Sequence, residues 1–469
     1  MNATELKNKL VSIGQQNVFR FWDQVDDAAK QKLAAQLETL DAALIAQLAE
    51  EYVRNKPQFP LPKDIQPVKA YPRTAGPGQE SLYRQAAERG RQLLKDGKVA
   101  AFLVAGGQGS RLGYEGPKGE FPVTPIKRKP LFQVFAEQLL AHSRDSGRGI
   151  PWYIMTSDTN DAATRAFFAK HNSFCYDPKL IRFFQQGMMP AFSFDGQLLL
   201  ADKDSLALSP DGHGGSLRAL LKSGALADMK SRGIEHLSYF QVDNPIVQCI
   251  DPLFLGLHAT TSSEMSSKTV SKAGAKERVG NFCVGDGATQ VIEYSDLPDS
   301  LAVQTSADGS LRFNAGSIAI HALRVSFIER LTTGGQLKLP WHRAEKKVAC
   351  VDAAGNPVKP DKPNAVKLEQ FVFDAIPLAR NAIVYTTERA EEFSPVKNAE
   401  GADSPATCTR DQIRRAARWL AAAGVSVPAK GDEVDATIEI SPLVAVSAEQ
   451  LKTRSLSKAV APGEQLYLG

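Results

Sequence analysis

The stretch 98-KVAAFLVAGGQGSRLGYEGPKG-119 decides the fold, because an apolar run passes directly into a loop rich in glycine. KVAAFLVA (98–105) has the length and composition of a buried strand. The only cations of the loop are Arg111 and Lys118, and its glycines stand at 106, 107, 109, 113, 116 and 119. Because glycine lets backbone amides approach a phosphate closely, the stretch predicts a nucleotide phosphate site after a strand.

The spacing of these glycines excludes two common phosphate motifs. A P-loop requires G-x-x-x-x-G-K-[ST], which is absent from the loop. The dinucleotide fingerprint requires G-x-G-x-x-G, but after Gly107 and Gly109 the next glycine, Gly113, comes one residue late. The alternative, a structural turn with solvated charges, is disfavoured because each glycine costs up to about 1 kcal/mol of unfolded-state entropy. The loop therefore indicates a nucleotide phosphate without selecting a reaction.

Length and composition narrow the class of protein. A chain of 469 residues is long enough for two or three domains, and 43% hydrophobic with 23% charged residues is typical of globular proteins. A net charge of +4 does not favour a nucleic-acid partner. The five cysteines form no CxxC pair, the start MNATELKNKLVSIGQQ lacks an apolar core of signal-peptide length, and no run of about 18 apolar residues occurs. We therefore expect a cytoplasmic protein without a membrane span.

The N-terminal third divides into helical and proline-rich segments. Residues 1–53 are predicted to be helical, and 54–75 (RNKPQFPLPKDIQPVKAYPRTA) an extended strap, since proline interrupts regular helices. Residues 80–95 are again predicted to be helical. The first region has apolar residues at three- and four-residue spacing, namely Leu6, Leu10, Ile13, Leu33, Leu37, Leu40, Leu44 and Leu48.

From residue 98 onward, short apolar runs alternate with helical patterns. Strands are predicted at 98–105, 152–157 and 237–244, and helices at about 130–145 and 160–172. This rhythm predicts an α/β fold with a mostly parallel sheet covered by helices. After about residue 400, a helix at 409–423 and the segment VDATIEISPLVAVS (434–447) predict a small separate domain that contains β-structure.

Eight further motifs give the glycine loop its context. AGGQGSRLG…PKG resembles the signature loop of the UDP-sugar pyrophosphorylases, and the other motifs resemble their eukaryotic-type UDP-N-acetylhexosamine branch. In chain order they are FFQQGMMPAFSFDG (183–196), SPDGHGG (209–215), QVDNPIVQCIDPLFLG (241–256), VIEYSDL (291–297), FNAGSIAIH (313–321), LPWHRAEKK (339–347), KLEQFVFD (367–374) and FSPVKNAEG (393–401).

This resemblance implies a fold and a reaction. It implies a Rossmann-like nucleotidyltransferase core with a mostly parallel or mixed sheet at 96–398, a helical region with the strap at 1–95, and a small α+β domain at 399–469. The implied substrates are UTP and a sugar 1-phosphate, with Mg²⁺ as cofactor and a monomer or homodimer as the assembly. The implied reaction is uridylyl transfer that forms UDP-N-acetylglucosamine and pyrophosphate.

The resemblance also implies the residues that handle phosphate. Ala105, Gly106, Gly107 and Gly109 are expected to offer amides to the triphosphate, while Arg111, Lys118 and Lys397 carry the charge that stabilises phosphoryl transfer. Asp243, at the end of a predicted strand, is the implied Mg²⁺ ligand. From the residues alone, Asp243 could equally cap the turn that begins at Asn-Pro.

Gln186 and Gly212 are the implied readers of uracil. A glutamine amide offers both a donor and an acceptor to the base edge, and Gln186 is chosen over Gln185 because the family pattern places the reader before Gly187. His213 departs from the acetylhexosamine branch, which has asparagine in DGNGG, and matches the histidine of the UDP-glucose branch. This residue puts the sugar specificity in question.

The resemblance assigns a further set of residues to the sugar: Gly280, Glu293, Asn314, Gly316, Phe371 and Phe373. Phe371 and Phe373 alternate along an apparent strand, so we expect both on one face, walling the acetyl group, although a plain core role is nearly as compatible. Two other functions stay open. One is a UDP-glucose or broad-specificity pyrophosphorylase, which His213 favours, and the other is a non-catalytic UDP-sugar-binding protein.

Overall fold

The chain divides into two compact units in the computed structural model, which describes residues 3–57, 61–335 and 337–469. Unit 1 comprises Met1–Leu61, Gln186–Ser216 and Lys338–Val372, and unit 2 comprises Pro62–Gln185, Leu217–Leu337 and Phe373–Gly469. Residues 1, 2 and 58–60, which belong to the predicted helical region and strap, lie outside the described residues. The division at 1–95, 96–398 and 399–469 follows the chain and stays a prediction.

Unit 1 begins with the predicted helices. The α-helices are Ala3–Val11, Asp27–Glu38 and Ala42–Leu48, and a π-helical turn follows at Ala49–Arg54. Two of them begin at aspartate caps, since Asp26 accepts from the Ala29 N–H and Asp41 from the Leu44 N–H. The apolar spacing of this region marks its buried face, because the core of unit 1 includes Leu6, Leu10, Leu33, Leu37, Leu40 and Leu48.

The rest of unit 1 consists of short antiparallel pairs. They join Met188–Pro190 to Leu208–Pro210, Leu200–Asp202 to Ser205–Leu206, His342–Lys346 to Ala365–Glu369, and Cys350–Val351 to Pro357–Val358. Gln15 ties the N-terminal segment to them, because its buried amide donates to the Gly196 carbonyl and accepts from the Leu198 N–H, both at 2.8 Å. Unit 1 thus forms one core from three distant segments of the chain.

Unit 2 is built on a ten-stranded sheet. Its main path runs in the order Gln66–Pro67, Asn281–Gly285, Ala315–Arg324, His236–Gln241, Val99–Val104, Trp152–Thr156 and Ile181–Gln185. Met265–Ser271 pairs with Ala315–Arg324 and with Ile383–Thr386, and Ala288–Ile292 pairs with Asn281–Gly285. The three predicted strands are confirmed at the centre of this path.

The sheet is mixed, which is within the mostly parallel or mixed sheet that the family resemblance implies, whereas the alternation of strands and helices alone predicted a mostly parallel one. Pairing is parallel from His236–Gln241 to Ile181–Gln185, where strands alternate with helices. From His236–Gln241 to Gln66–Pro67 it is antiparallel. Two residues of the strap belong to this second half, where Gln66 and Pro67 form an edge strand against Val284 and Cys283.

The α-helices of unit 2 include Glu80–Lys95, Leu131–Ser146, Asp161–Lys170, Ala225–Ser231, Pro252–Thr260, Asp299–Ala302, Val325–Leu331, Arg389–Glu392, Pro405–Ala422 and Ala448–Lys452. Two helices cross unit boundaries along the chain, the α-helix Gly215–Lys222 and the 3₁₀-helix Val372–Leu378. Among the helices of the described residues, none combines the length and apolar character needed to cross a bilayer.

The C-terminal segment of unit 2 has a hydrophobic cluster of its own. It pairs Ala436–Ile440 with Glu464–Leu468 in parallel and Ala429–Lys430 with Glu433–Val434. The cluster includes Trp419, Leu420, Ile438, Leu451 and Val460. The helix and β-structure predicted after residue 400 are therefore present.

Candidate active site

The glycine loop folds back on itself immediately after the strand Val99–Val104. The Gly109 N–H donates to the Gly116 carbonyl at 2.9 Å, and the Lys118 N–H donates to the Gly107 carbonyl at 3.1 Å. One-turn 3₁₀-helices carry the two cations, Ser110–Leu112 for Arg111 and Lys118–Glu120 for Lys118. These bonds place both cations on one closed loop at the end of the strand.

The glycines of this loop are required for different structural reasons. A Cβ atom on Gly119 would overlap the ring of buried Phe132, and one on Gly109 would crowd Tyr114. Gly113 and Gly116 have φ values of 68° and 133°, which favour glycine. At Gly107 a Cβ atom would meet nothing within 4 Å. Gly107 therefore has open space where a side chain would stand and no positive φ to explain it, and its predicted role at the phosphates stays a prediction.

Asn160 is a supporting residue that the sequence reasoning missed. Its side chain is buried and donates to the carbonyls of Ala105 at 2.9 Å and Gly107 at 3.4 Å. The Ser157 N–H donates to its Oδ1 at 2.8 Å. Asn160 therefore fixes the start of the glycine loop from a neighbouring strand–helix connection, a signal that only a contact between distant segments reveals.

Asp243 and the glycine loop leave the sheet at the same edge. Val104 pairs with Gln241 in the parallel register, and the Val242 N–H donates to the Val104 carbonyl at 3.1 Å. Since parallel strands end side by side, the strand ends bring Asp243 to the loop that carries Lys118.

Four predicted charged residues share this neighbourhood. Burial lowers the pKa of Lys118, Asp243 raises it, and Arg111 and Lys397 lower it further. Such effects require the four groups to be near one another. The Nζ atom of Lys118 also lies 3.4 Å from the Val396 carbonyl oxygen, next to Lys397 in the chain.

Lys397 reaches this neighbourhood from a separate segment. The Val396 N–H donates to the Asp243 carbonyl at 2.8 Å, which joins the two segments. The Nζ atom of Lys397 lies 3.5 Å from a carboxylate oxygen of Asp403 and 5.4 Å from the centroid of Phe393. Its side chain is 36% exposed, so it keeps access to solvent and to a ligand.

Three of the predicted sugar residues of unit 2, Gly280, Glu293 and Gly316, lie near one another, and Asn314 is close to them along the chain. The Ser317 N–H donates to the Gly280 carbonyl at 2.8 Å, and Gly316 pairs with Asn281 on the neighbouring strand. A Cβ atom on Gly280 would lie 3.7 Å from the Glu293 carboxylate. Asn314 precedes the strand Ala315–Arg324, and its Oδ1 accepts from the Lys272 N–H at 2.9 Å. This bond orients the Asn314 amide, whose NH₂ group offers donors to other partners.

The remaining predicted readers lie in unit 1. Gln186 directly follows the strand Ile181–Gln185, and the Asp211 N–H donates to the Gly187 carbonyl at 3.1 Å. Gly212 has a φ of 86°, and a Cβ atom there would overlap the Gln370 carbonyl. Packing against Gln370 therefore requires this glycine, independently of any base.

His213 is held by backbone and aromatic contacts of unit 1. Its ring stacks on Phe371 at 5.2 Å between centroids, and Phe371 stacks on His342 at 4.3 Å. The Val372 N–H donates to its Nδ1 at 3.1 Å. Burial lowers the pKa of His213 to about 4, and His342 contributes in the same direction.

The strand expected through Phe371 and Phe373 is wrong. The strand Ala365–Glu369 ends before Phe371, and a 3₁₀-helix begins at Val372. The chain leaves the strand because Gln370 bonds to the loop on both sides of His213. Its N–H donates to the Asp211 carbonyl, and its carbonyl accepts from the Gly214 N–H. The two phenylalanines therefore do not alternate along a strand.

The carboxylates near the glycine loop are the groups that could bind the predicted Mg²⁺. Within the described residues, no group of three or more histidine, cysteine, aspartate or glutamate side chains is arranged to hold a metal ion. A site of this kind fits Mg²⁺ bound by one carboxylate, water and phosphate oxygens, which is how Mg²⁺ binds in many phosphoryl-transfer enzymes. Asp243 is the carboxylate that the family resemblance implies as its ligand, and this assignment stays a prediction.

Comparisons with known proteins show which family this chain resembles. Residues 45–402 match the family described as UTP–glucose-1-phosphate uridylyltransferase. A UDP-N-acetylhexosamine pyrophosphorylase-like protein 1 from Xenopus tropicalis is 37% identical, with 98% of this chain and 95% of the relative covered. A UDP-N-acetylglucosamine pyrophosphorylase from Saccharomyces cerevisiae is 34% identical, with 90% and 92% covered.

A solved structure shows the same fold. The uridine diphosphate N-acetylglucosamine pyrophosphorylase from Trypanosoma brucei, solved with an inhibitor, superposes with a TM-score of 0.82 at 24% identity, covering 98% of this chain and 97% of that chain. The mixed α/β core is thus the fold that this chain shares with it. With a family match over most of its length and relatives above 30% identity covered almost from end to end, the chain belongs to the UTP–glucose-1-phosphate uridylyltransferase family, as its ordered motifs predict.

Proposed function

We propose that this enzyme transfers the uridylyl group of UTP to N-acetylglucosamine 1-phosphate, which forms UDP-N-acetylglucosamine and releases pyrophosphate. The observation that carries the proposal is the grouping of Arg111, Lys118, Asp243 and Lys397 around the glycine loop. The names of the yeast and frog relatives and the motifs FNAG (313–316) and FVFD (371–374) favour an acetylated sugar.

The proposed reaction is a direct displacement at phosphorus. A phosphate oxygen of the sugar 1-phosphate attacks the α-phosphorus of UTP, and the bond between that phosphorus and the oxygen bridging to the β-phosphate breaks. Both reactants are anions, so repulsion between them is the first barrier. Arg111, Lys118 and Lys397 offset it and stabilise the charge on the leaving pyrophosphate. Amides at Gly106 and Gly107 donate to the triphosphate. The expectation for two further amides is wrong, because the Ala105 N–H donates to the Met155 carbonyl at 2.8 Å and the Gly109 N–H donates to the Gly116 carbonyl at 2.9 Å.

Asp243 would hold Mg²⁺, which supplies Lewis-acid stabilisation of the phosphate charge when it is bound. Burial lowers the pKa of Lys118, and Arg111 and Lys397 add to this effect, while the Asp243 carboxylate opposes it. Asp243 therefore favours the ammonium form of Lys118, although it does not fully offset the other groups.

The recognition residues are assigned by the same proposal. Gln186 and Gly212 read uracil, the glutamine amide pairing with N3–H and O4. Asn314 donates its NH₂ group to the acetamido carbonyl, since the bond from the Lys272 N–H orients its amide. Glu293 accepts hydrogen bonds from sugar hydroxyls. The other residues assigned to contact the sugar are His213, Gly280, Gly316, Phe371 and Phe373.

The test is pyrophosphate release by the purified protein with Mg²⁺ and UTP. N-acetylglucosamine 1-phosphate and glucose 1-phosphate are compared as second substrates, together with a control lacking sugar phosphate. We expect a kcat/KM at least about tenfold higher for the acetylated sugar, because the sugar site would include a donor for its carbonyl. Equal or reversed values would contradict the proposed substrate.

A UDP-glucose or broad-specificity pyrophosphorylase is the second candidate, favoured by His213. Preference for glucose 1-phosphate in the same assay would establish it. UDP-sugar binding without turnover of either sugar would instead indicate a non-catalytic binding protein. We further propose a cytoplasmic location, which suits five free cysteines, and a monomer or homodimer as the assembly.

A further inference from the structure

Lys268 is a fully buried cation with two carboxylate partners. On the strand Met265–Ser271, its Nζ atom lies 2.7 Å from Asp251 and 2.6 Å from Glu392, and its side chain is 0% exposed. The Thr387 hydroxyl donates to Glu392 at 2.7 Å. Burial lowers the pKa of Lys268, but the two carboxylates outweigh burial and raise it. The cluster of Lys268, Asp251 and Glu392 is therefore a buried ion network with one positive and two negative groups.

The two carboxylates belong to the segments that carry the proposed catalytic groups. Asp251 ends the segment 243–251, which begins at Asp243, and it caps the helix Pro252–Thr260 by accepting from the Leu253 and Phe254 N–H groups. Glu392 ends the helix Arg389–Glu392, five residues before Lys397. Lys268 thus links the far ends of the two segments that provide Asp243 and Lys397.

Hydrogen bonds continue the link from the cluster to the catalytic groups. The Asn244 amide donates to the Glu392 carbonyl at 2.6 Å and accepts from the Ser394 N–H at 3.2 Å. The Val396 N–H donates to the Asp243 carbonyl at 2.8 Å. The main chain from Glu392 to Val396 is therefore fixed along the turn at Asp243, up to the residue that precedes Lys397.

We propose that Lys268, Asp251 and Glu392 are positioning residues for uridylyl transfer, because they clamp segments 243–251 and 389–397 so that Asp243 and Lys397 act together. The inference rests on the proposed function. A buried ion pair contributes little net stability compared with apolar packing, so stability alone does not account for this network. A displacement of about 1 Å between reacting groups can reduce the rate by about 10²-fold.

Glu392→Gln is the test variant. It leaves Lys268 paired with Asp251, so one positive and one negative charge remain and the fold is expected to tolerate the change. The control at a second buried ion pair is Glu137→Gln, which removes the carboxylate charge beside Lys129. Glu137 is also buried, accepts from Lys129 at 2.6 Å and from the Ser441 hydroxyl at 2.9 Å, and has no place in the proposed site.

Two measurements separate positioning from a purely structural role. Hydrogen exchange by mass spectrometry is followed for peptides covering 243–251 and 389–397, and steady-state kinetics give kcat and the KM for UTP. For Glu392→Gln we expect faster exchange in both segments and a kcat about 10²-fold lower with little change in KM, the pattern of an interaction made in the transition state. For Glu137→Gln we expect wild-type exchange in these segments and wild-type kcat.

Equal exchange and equal kcat in the two variants would overturn the proposal and leave the cluster as a structural ion network. Faster exchange with wild-type kcat would also overturn it. If Glu392→Gln does not fold, Asp251→Asn takes its place, since asparagine can still cap the helix at Leu253. A wild-type protein without turnover would contradict the proposed function instead, and the exchange comparison would still decide whether the cluster clamps the two segments.

Discussion

The backbone N–H of Val372 donates a hydrogen bond to Nδ1 of His213 at 3.1 Å. Since Nδ1 is the acceptor, the proton of the neutral imidazole is on Nε2. The pKa of His213, lowered by burial to about 4, keeps the ring neutral at physiological pH. His213 is therefore a fixed Nε2–H donor and does not act as a charged group for phosphate.

His213→Asn tests whether this donor sets the sugar preference. Asparagine places Oδ1 where Nδ1 stands, so the bond from Val372 is kept while Nε2–H and the ring are lost. We expect the ratio of kcat/KM for N-acetylglucosamine 1-phosphate to that for glucose 1-phosphate to rise about tenfold, or about 1.4 kcal/mol. Both values are measured by pyrophosphate release.

His213→Ala is the control for this substitution. It leaves the Val372 N–H without its acceptor, which destabilises the fold by about 1–3 kcal/mol, whereas the asparagine variant keeps wild-type stability. Thermal melts of the three proteins check this order. An unchanged ratio in His213→Asn would exclude His213 as the specificity residue.

Lys118→Met tests the central cation of the proposed site. Methionine keeps the apolar stem and removes the charge, which burial, Arg111 and Lys397 already disfavour. We expect a melting temperature equal to or above that of the wild type and a kcat lower by about 10²–10³-fold. Lys95→Met, at an exposed helix position, is the control and should keep wild-type kcat. A Lys118→Met enzyme with wild-type kcat would remove Lys118 from the mechanism.

Buried histidines predict a loss of stability in mild acid. Burial lowers the pKa of His142 and His236 to about 4 and that of His258 well below its usual value. In the unfolded chain these groups titrate near pH 6.5. Between pH 6.5 and about 4 the unfolded state therefore binds more protons, so the free energy of unfolding falls as the pH falls.

The expected slope is about 1.4 kcal/mol per pH unit for each histidine. Urea unfolding at several pH values between 5 and 7.5 measures it. His142→Gln removes one of the titrating groups and should reduce the slope by about that amount. A slope identical to that of the wild type would show that His142 is protonated in the folded protein.

Local patterns predicted most of the central architecture. The helix 80–95 is predictable because the buried face of a helix places apolar residues at three- and four-residue spacing. The strand 98–105 is predictable because a fully buried strand is a short continuous run of apolar residues. The position of Asp243 beside the glycine loop followed from the rule that parallel strands end together. The antiparallel half of the sheet did not follow, because pairing direction depends on how strands such as Ala315–Arg324 are connected in space.

The site residues also divide into those that local motifs predict and those that only tertiary contacts reveal. Arg111, Lys118 and Lys397 were found through motifs, and the structure brings them to one place. Asn160 and Lys268 were missed because their roles are bonds to segments distant in the sequence. The strand assigned to Phe371 failed because Gln370 bonds to the loop at Asp211 and Gly214, a tertiary contact that overrides alternation.

Gly90 gives a final prediction, because it is a glycine in the middle of a predicted helix. Alanine in a helix is favoured over glycine by about 1 kcal/mol, so the sequence alone predicts that Gly90→Ala stabilises the protein. In the structure, a Cβ atom on Gly90 would overlap the Pro252 carbonyl oxygen, and one on Gly256 would overlap the Ala86 carbonyl. The helices Glu80–Lys95 and Pro252–Thr260 therefore touch backbone to backbone.

No rotamer change can relieve such an overlap, so the helices must separate. We expect Gly90→Ala to lower the free energy of unfolding by about 3 kcal/mol or more, at the upper end of overpacking effects. Gly274→Ala is the control, since its Cβ atom would meet nothing within 4 Å, and it should change stability by less than about 0.5 kcal/mol. Urea unfolding compares the two, and a Gly90→Ala protein as stable as the wild type would mean that the helices are farther apart than the structure places them.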